Sequence, residues 1–270
     1  MKKGISFYYG FDSNPSIRAK MIKNAGFECV ITNADKRFEF QNGNMKFQNK
    51  IFKENNLSHS SLHFTYKNFE LPFFWQDCKL GNHMERSLKR DVKFAHKYGY
   101  TCVVVHVKGS PSEIGANRIR RVLKLCEKLD VPLAFENIDD NTAFEFVLDN
   151  FKSKYVRFCY DSGHAHAFTP KVDYLKKFGE RLIAVHLHDN MGDRDAHALN
   201  RFGNIDWDKL ALALSKCPEV NMDYELFMRV EHCLTEEEIL AECFKQAQDL
   251  EQKITHYKIH KENSKSTKQK

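Results

Sequence analysis

Short apolar runs of strand length alternate along the chain with longer segments in which apolar residues recur at helical spacing, and turn residues separate the two. Eight runs read as strands: 4–8, 27–32, 57–64, 101–107, 131–136, 155–161, 182–188 and 221–225. A strand followed by a helix, repeated to the end of the chain, is the pattern of parallel strands joined by crossover helices. It predicts an α/β fold closed as a (β/α)8 barrel. The punctuation agrees with this pattern. Ser13-Asn14-Pro15 supplies a helix cap with proline at the first helical position, and Gly26 and Gly99 stand where helices stop before the next strand. Thr235 to Glu238 reads as a capping box with acids in the first turn, opening a last helix expected over 235–255. Two strand-to-helix connections are long: 64–81, aromatic and containing Trp75, and 189–204, polar and containing glycine. Long loops after strands are where such barrels carry their chemistry.

A length of 270 residues with 42% hydrophobic content suits one large core, so a single barrel domain is expected over 1–256. Beyond it, Lys258, Lys261, Lys265, Lys268 and Lys270 face only Glu262, and residues 257–270 are expected to form a basic, solvated, disordered tail. No apolar run approaches the roughly 20 residues of a membrane span. Met1-Lys2-Lys3-Gly4 leads directly into the first strand, so no secretory signal, a cytoplasmic location and no membrane partner are expected. The eight cysteines stand singly without a C-x-x-C pair, mostly in apolar stretches, and read as reduced core residues. A net charge of +6 is compatible with phosphorylated sugars, with nucleic acid or with neither.

The strand ends change the picture. From the third strand onward nearly every run ends in a side chain able to bind a metal: His63, His106, Glu136, Asp161 with His164 three residues on, His186 and Glu225. The long loop after the seventh strand adds Asp195 and His197. In a parallel barrel these ends share one face, so residues distant in sequence converge on one mouth. Imidazole and carboxylate together suit zinc, manganese or iron, and carboxylates can bridge two ions. A single buried histidine is ordinarily a hydrogen-bonded core residue; nine matching positions are not explained that way. A carboxylate closing the apolar run Leu133-Ala134-Phe135-Glu136 needs either a metal or an Arg or Lys partner.

These residues resemble the xylose isomerase-like TIM barrels, which comprise sugar and sugar-phosphate isomerases and epimerases together with the endonuclease IV type of abasic-site (AP) endonuclease. The resemblance covers roughly residues 1–250. It is carried by Phe135-Glu136-Asn137, by Cys159-Tyr160-Asp161-Ser162-Gly163-His164 and by His186-Leu187-His188-Asp189-Asn190, then Asp195-Ala196-His197 and Gly203-Asn204-Ile205-Asp206-Trp207. The resemblance implies that Glu136, Asp161, His186 and Glu225 form the metal site shared by the isomerases. It implies further that His63, His106, His164, Asp195 and His197 match the additional ligands of the endonuclease IV pattern, which holds three zinc ions. One to three divalent ions per chain, zinc or manganese, are therefore expected.

Neighbouring residues carry two readings each. His188, two residues after His186 and on the same strand face, contacts substrate or supports a ligand by hydrogen bonding. Lys108 and Arg194 grip a phosphate or hydroxyl, or are surface charge. His166 reads as a solvated turn residue. Phe73-Phe74-Trp75 walls the mouth or packs against the barrel helices.

Two chemistries compete. A metal-dependent isomerase or epimerase would act on a small sugar or sugar phosphate through an enediolate, with Glu136 and Glu225 as acid and base. A phosphodiesterase acting on abasic DNA would use the whole nine-residue set, since clustered ions suit in-line phosphoryl displacement. Against the second, the loops after the first two strands are short or acid-containing, with Lys36-Arg37 their only basic pair. The stretch Asp195-Ala196-His197-Ala198-Leu199-Asn200 also resembles the sugar-phosphate isomerase-like members more closely. The expected partner is thus a small sugar or sugar phosphate, with nucleic acid only under the alternative and a homodimer as the plausible assembly. A barrel that has lost catalysis is the non-enzymatic reading.

Overall fold

In the computed structural model, which describes residues 1–227 and 234–266, all eight expected runs form strands. They are β1 (Lys3–Ser6), β2 (Cys29–Asn33), β3 (Ser58–His63), β4 (Cys102–Val105), β5 (Leu133–Glu136), β6 (Val156–Asp161), β7 (Leu182–Leu187) and β8 (Met222–Tyr224). Each pairs in parallel with the next, and β8 pairs with β1 to close the barrel. Parallel strands covered by helices are buried on both faces and so read as continuous apolar runs; every residue of β4 and β5 is buried.

The helices are α1 (Pro15–Asn24), α2 (Glu39–Asn42), α3 (Met45–Glu54), α4 (Lys79–Tyr98), α5 (Glu113–Leu129), α6 (Thr142–Asn150), α7 (Ser162–Phe168), α8 (Tyr174–Phe178), α9 (Trp207–Leu214) and α10 (Glu236–Ser266). The caps work as their residues suggest. Asn14 Oδ1 accepts from the Ser16 N–H at 2.9 Å, and Gly99 ends α4 at φ +77°, a left-handed conformation that favours glycine. Thr235 Oγ1 accepts from the Glu238 N–H at 3.2 Å while Glu238 Oε2 accepts from the Thr235 N–H at 2.7 Å, a reciprocal capping box. One boundary differs: α10 continues to Ser266 rather than stopping at 255, so residues 257–266 extend the helix instead of leaving it. No glycine or proline stands in that stretch to end it. Cys233 and residues 267–270 lie outside the described residues.

The long connection after β3 is folded down onto the helices. Arg118 of α5, fully buried, donates through Nη1 to the Phe74 and Gln76 carbonyls at 2.6 and 2.7 Å and through Nη2 to Asn82 Oδ1 at 2.8 Å. Phe74 and Trp75 are consequently core residues, which is the packing reading of that aromatic run. The cysteines within the described residues are free, five of them buried. No helix among the described residues is long and apolar enough to cross a membrane.

Candidate metal centre

The strand ends deliver their side chains to one mouth. Glu136 closes β5, Asp161 closes β6 and caps α7, His186 is the penultimate residue of β7, and Glu225 follows β8 directly. Glu136 is fully buried and its two oxygens face different neighbours. Oε1 lies 2.9 Å from His186 Nδ1, and Oε2 lies 2.8 Å from His106 Nε2 and 3.6 Å from His63 Nε2. The same His186 nitrogen is 3.0 Å from Glu225 Oε2. Across the mouth, Asp195 Oδ2 lies 3.2 Å from His164 Nε2 and 3.0 Å from His197 Nε2. All nine expected residues therefore fall into three adjoining groups: Glu136–Asp161–His186–Glu225, His63–His106–Glu136 and His164–Asp195–His197. In each group the donor atoms lie within 4.8 Å of one another, and Glu136 belongs to the first two. Donors spaced this way can converge on an ion at the roughly 2.0–2.2 Å of zinc–nitrogen and zinc–oxygen bonds.

The surroundings fit a cation. Ion pairs to Glu136 and Asp161 come from histidines, and no Lys or Arg partner of either stands among the described residues. Asp195 Oδ1 is buried without a hydrogen-bond partner, an open acceptor facing the cluster. The outer ring nitrogens are engaged: His106 Nδ1 with the Tyr66 hydroxyl at 2.5 Å, His164 Nδ1 with the Asn137 carbonyl at 3.0 Å, and His197 Nδ1 with the Glu225 carbonyl at 2.8 Å. That leaves Nε2 of each turned toward the carboxylates, the second set of contacts that orients metal ligands. Burial opposes ionisation of Glu136, Glu225 and Asp195, yet nearby imidazoles hold all three carboxyls below their ordinary range: His186 for the two glutamates, His164 and His197 for the aspartate. Burial likewise opposes protonation of His197, but its hydrogen bond to Asp195 pushes it up to about 9.

Around this cluster the remaining residues divide. His188 is fully buried, with Nε2 3.1 Å from Asp161, its ring stacked 4.1 Å from His197 and the backbone of Gly163 pressed against it. Lys108 sits at the rim, 2.5 Å from Asp139 Oδ2, and Arg194 is exposed on the loop after β7. His166 contacts Asn204 at 2.6 Å. Three contributors were not singled out from sequence. Tyr66 orients His106. Asp189 secures the β7 loop by accepting from Trp207 Nε1 at 2.7 Å and from the Asn190 and Ile205 N–H groups. The Cys159 thiol, expected as a reduced core residue, lies with the Glu136 and His186 donor atoms. Burial pushes that thiol well above its ordinary value in the metal-free site.

Two cavities meet at the cluster. One, of about 390 Å³, is lined by His106, His164, Asp195 and His197. The other, of about 600 Å³, shares His63, Tyr66, Asn68 and Glu225 with the first and runs toward the loops after β1 and β2.

Residues 19–245 match the model of a family described as xylose isomerase-like TIM barrels. The chain belongs to that family. Solved structures of similar architecture include a D-tagatose 3-epimerase-like protein, with a TM-score of 0.72 and 17% identity over 95% of this chain and 98% of that one. An IOLI protein with a binding zinc atom gives 0.74 and 18% over 95% and 99% of the two chains. The 3-keto-D-glucoside 4-epimerase YcjR of E. coli gives 0.70 and 14% over 93% and 100%. At such identities the xylose isomerase-like barrel shares a fold with these proteins. A curated relative, the "Uncharacterized protein y4fM" of Sinorhizobium fredii (strain NBRC 101917 / NGR234), is 35% identical over 97 residues. That match spans 33% of this chain and 31% of the relative.

Proposed function

We propose that this xylose isomerase-like barrel is a divalent-metal-dependent isomerase or epimerase of a sugar or sugar phosphate. The observation that carries the reading is the pair of carboxylates, Glu136 and Glu225, that reach the same His186 nitrogen at 2.9 and 3.0 Å with Asp161 beside them. Glu136, Asp161, His186 and Glu225 would hold the ion. When bound there, it polarises a carbonyl and the adjacent hydroxyl and so favours an enediolate. Glu225 lines both cavities and takes the proton from the carbon next to the carbonyl. A proton that Glu136 first takes up from water goes to the opposite face, giving an epimer, or to the neighbouring carbon, giving an isomer, and Glu225 releases its own proton to water. Lys108, at the rim of the smaller cavity, and Arg194 bind hydroxyl or phosphate oxygens of the substrate. His188 acts through Asp161, holding that carboxylate by hydrogen bond and packing.

A specific observation favours a second reading, phosphodiester hydrolysis of the endonuclease IV type. Sugar isomerisation needs one ion, yet the His63–His106–Glu136 and His164–Asp195–His197 groups offer two more places. Against it, Arg37 of the basic pair in the β2 loop is spent on Asp35 and the Tyr66 carbonyl rather than offered to a nucleic-acid backbone.

Elemental analysis of the purified protein beside its Glu225→Ala variant separates the readings. About one manganese, cobalt or magnesium per chain, lost in the variant, supports the isomerase and directs assay to ketoses and their phosphates. Near three zinc per chain transfers the assignment to phosphodiester hydrolysis and to abasic DNA. A protein that neither holds nor takes up metal refutes both.

A further inference from the structure

We infer that the substrate carries an apolar, ring-sized substituent beside its metal-facing hydroxy-carbonyl group, so that the enzyme works on a substituted sugar rather than a free monosaccharide. This inference rests on the isomerase reading and deepens it.

The two cavities at the cluster differ in chemistry. The smaller presents imidazoles and carboxylates. The larger, about 600 Å³ and lined in part by His63 and Glu225, presents aromatic rings. Phe7, Phe38 and Phe69 line it together with Tyr8 and Phe227, whose ring centres stand 5.7 Å apart. Phe38, Phe69 and Phe227 are 37%, 67% and 44% exposed. Large apolar side chains exposed around one concavity are what a ligand covers, and a volume of this size falls in the roughly 300–1,000 Å³ range of small-molecule sites.

Several polar groups along the same walls are already engaged, Lys67 Nζ lies 5.7 Å over the Phe69 ring, and Asn68 stands where the larger cavity joins the smaller. The Thr32 hydroxyl is 2.5 Å from the Tyr100 hydroxyl, and Asn33 Oδ1 accepts from the Asp35 N–H at 2.6 Å. Asn42 Oδ1 accepts from Arg18 at 3.0 Å, and the Tyr8 hydroxyl donates to Asp12 at 3.2 Å. Arg37 is held by Asp35. A chain of sugar hydroxyls entering here would give up water and meet mainly aromatic rings, with hydrogen-bonding groups on only part of the wall, an unfavourable exchange. An apolar ring meets surface that gains by being covered. The metal-facing end of the substrate thus belongs to the smaller cavity and the substituent to the larger.

The test uses hydroxamates, bidentate chelators that resemble an enediolate, and so needs no knowledge of the sugar. Calorimetric titration of the full-length, manganese-loaded protein compares acetohydroxamate, D-gluconohydroxamate and 4-phenylbutyrohydroxamate. The phenyl compound is expected to bind at least about tenfold more tightly than acetohydroxamate, the order of effect that follows from burying most of one aromatic ring. The polyhydroxylated tail of gluconohydroxamate is expected to add little. In the Phe38→Ser, Phe69→Ser double variant, whose changes are at partly exposed positions, the phenyl-to-acetyl affinity ratio should fall at least fivefold, to about twofold. If gluconohydroxamate equals or surpasses the phenyl compound, or if the ratio survives the double substitution, the inference is wrong while the metal-centre reading stands. If no hydroxamate binds the loaded protein, the isomerase reading, which needs an enediolate-like ligand at the ion, fails and the inference with it.

Discussion

Gly163, between Asp161 and His164, is the position where one methyl group should do most harm. A Cβ built there would lie 1.9 Å from His188 Cε1 and 2.3 Å from its Nδ1, whereas ordinary contact begins at 3.4 Å. The ring must therefore retreat by about 1.5 Å, and it has nowhere to go. It is fully buried, stacked 4.1 Å from His197 and held at 3.1 Å by Asp161. A displacement of that size either breaks the hydrogen bond to Asp161 or drags Asp161 and the start of α7 with it. Overpacking of a filled interior costs about 1–3 kcal/mol, and losing a hydrogen bond to a charged group costs about 1.5–3 kcal/mol. Since one distortion produces both, Gly163→Ala is expected to destabilise the fold by about 2–4 kcal/mol. Disturbing the support of a metal ligand typically lowers metal affinity by about 10–100-fold. Urea unfolding of the metal-free protein measures the first effect, and competition with a chromogenic chelator measures the second. A Gly163→Ala protein with unchanged unfolding midpoint and metal affinity would refute the claim that His188 braces Asp161 against the helix backbone.

Other perturbations test separate parts of the argument. Burial lowers the pKa of His59 from 6.5 to about 4, so as pH falls the unfolded chain takes up its proton first. The associated stability is full above about pH 6.5 and is lost toward pH 4, up to about 3 kcal/mol; His59→Phe, placed between Phe52 and Tyr100, should flatten this part of the profile relative to wild type. Parallel pH profiles for the two proteins would count against it. Arg118→Met leaves the Phe74 and Gln76 carbonyls without their donor and is expected to cost about 2–4 kcal/mol, with faster amide exchange across the β3 connection than elsewhere. Uniform exchange would show that Arg118 is not the anchor. Thr235→Ala removes half of the α10 capping box and should lower stability by about 1 kcal/mol while metal content stays constant.

The strands and the His, Asp and Glu residues of the candidate metal centre were legible for the same physical reason. A strand covered on both faces tolerates few polar residues, so a carboxylate or histidine closing an apolar run, as Glu136 closes Leu133–Phe135, is conspicuous, and parallel closure then puts every such residue at one rim. That logic needs a period, and loops have none. Tyr8, Phe38, Phe69 and Phe227 come together from the connections after β1, β2, β3 and β8, where nothing in the local spacing says that four aromatic rings will share a cavity. Tyr66 looked like any loop tyrosine, and only the fold shows its hydroxyl against His106. Asp189 lies within the segment that carried the resemblance, but its role depends on the pairing of Asp189 with Ala198, which turns the loop back so that Asp195 and His197 reach the mouth. The end of α10 was misplaced because a run of lysines was read as a stop, whereas helices end on glycine, proline or a lost packing face, and like charge alone does not end them. Local chemistry thus identifies the residues that could hold a metal, while the aromatic walls beside them come from loops and emerge only once the barrel has closed.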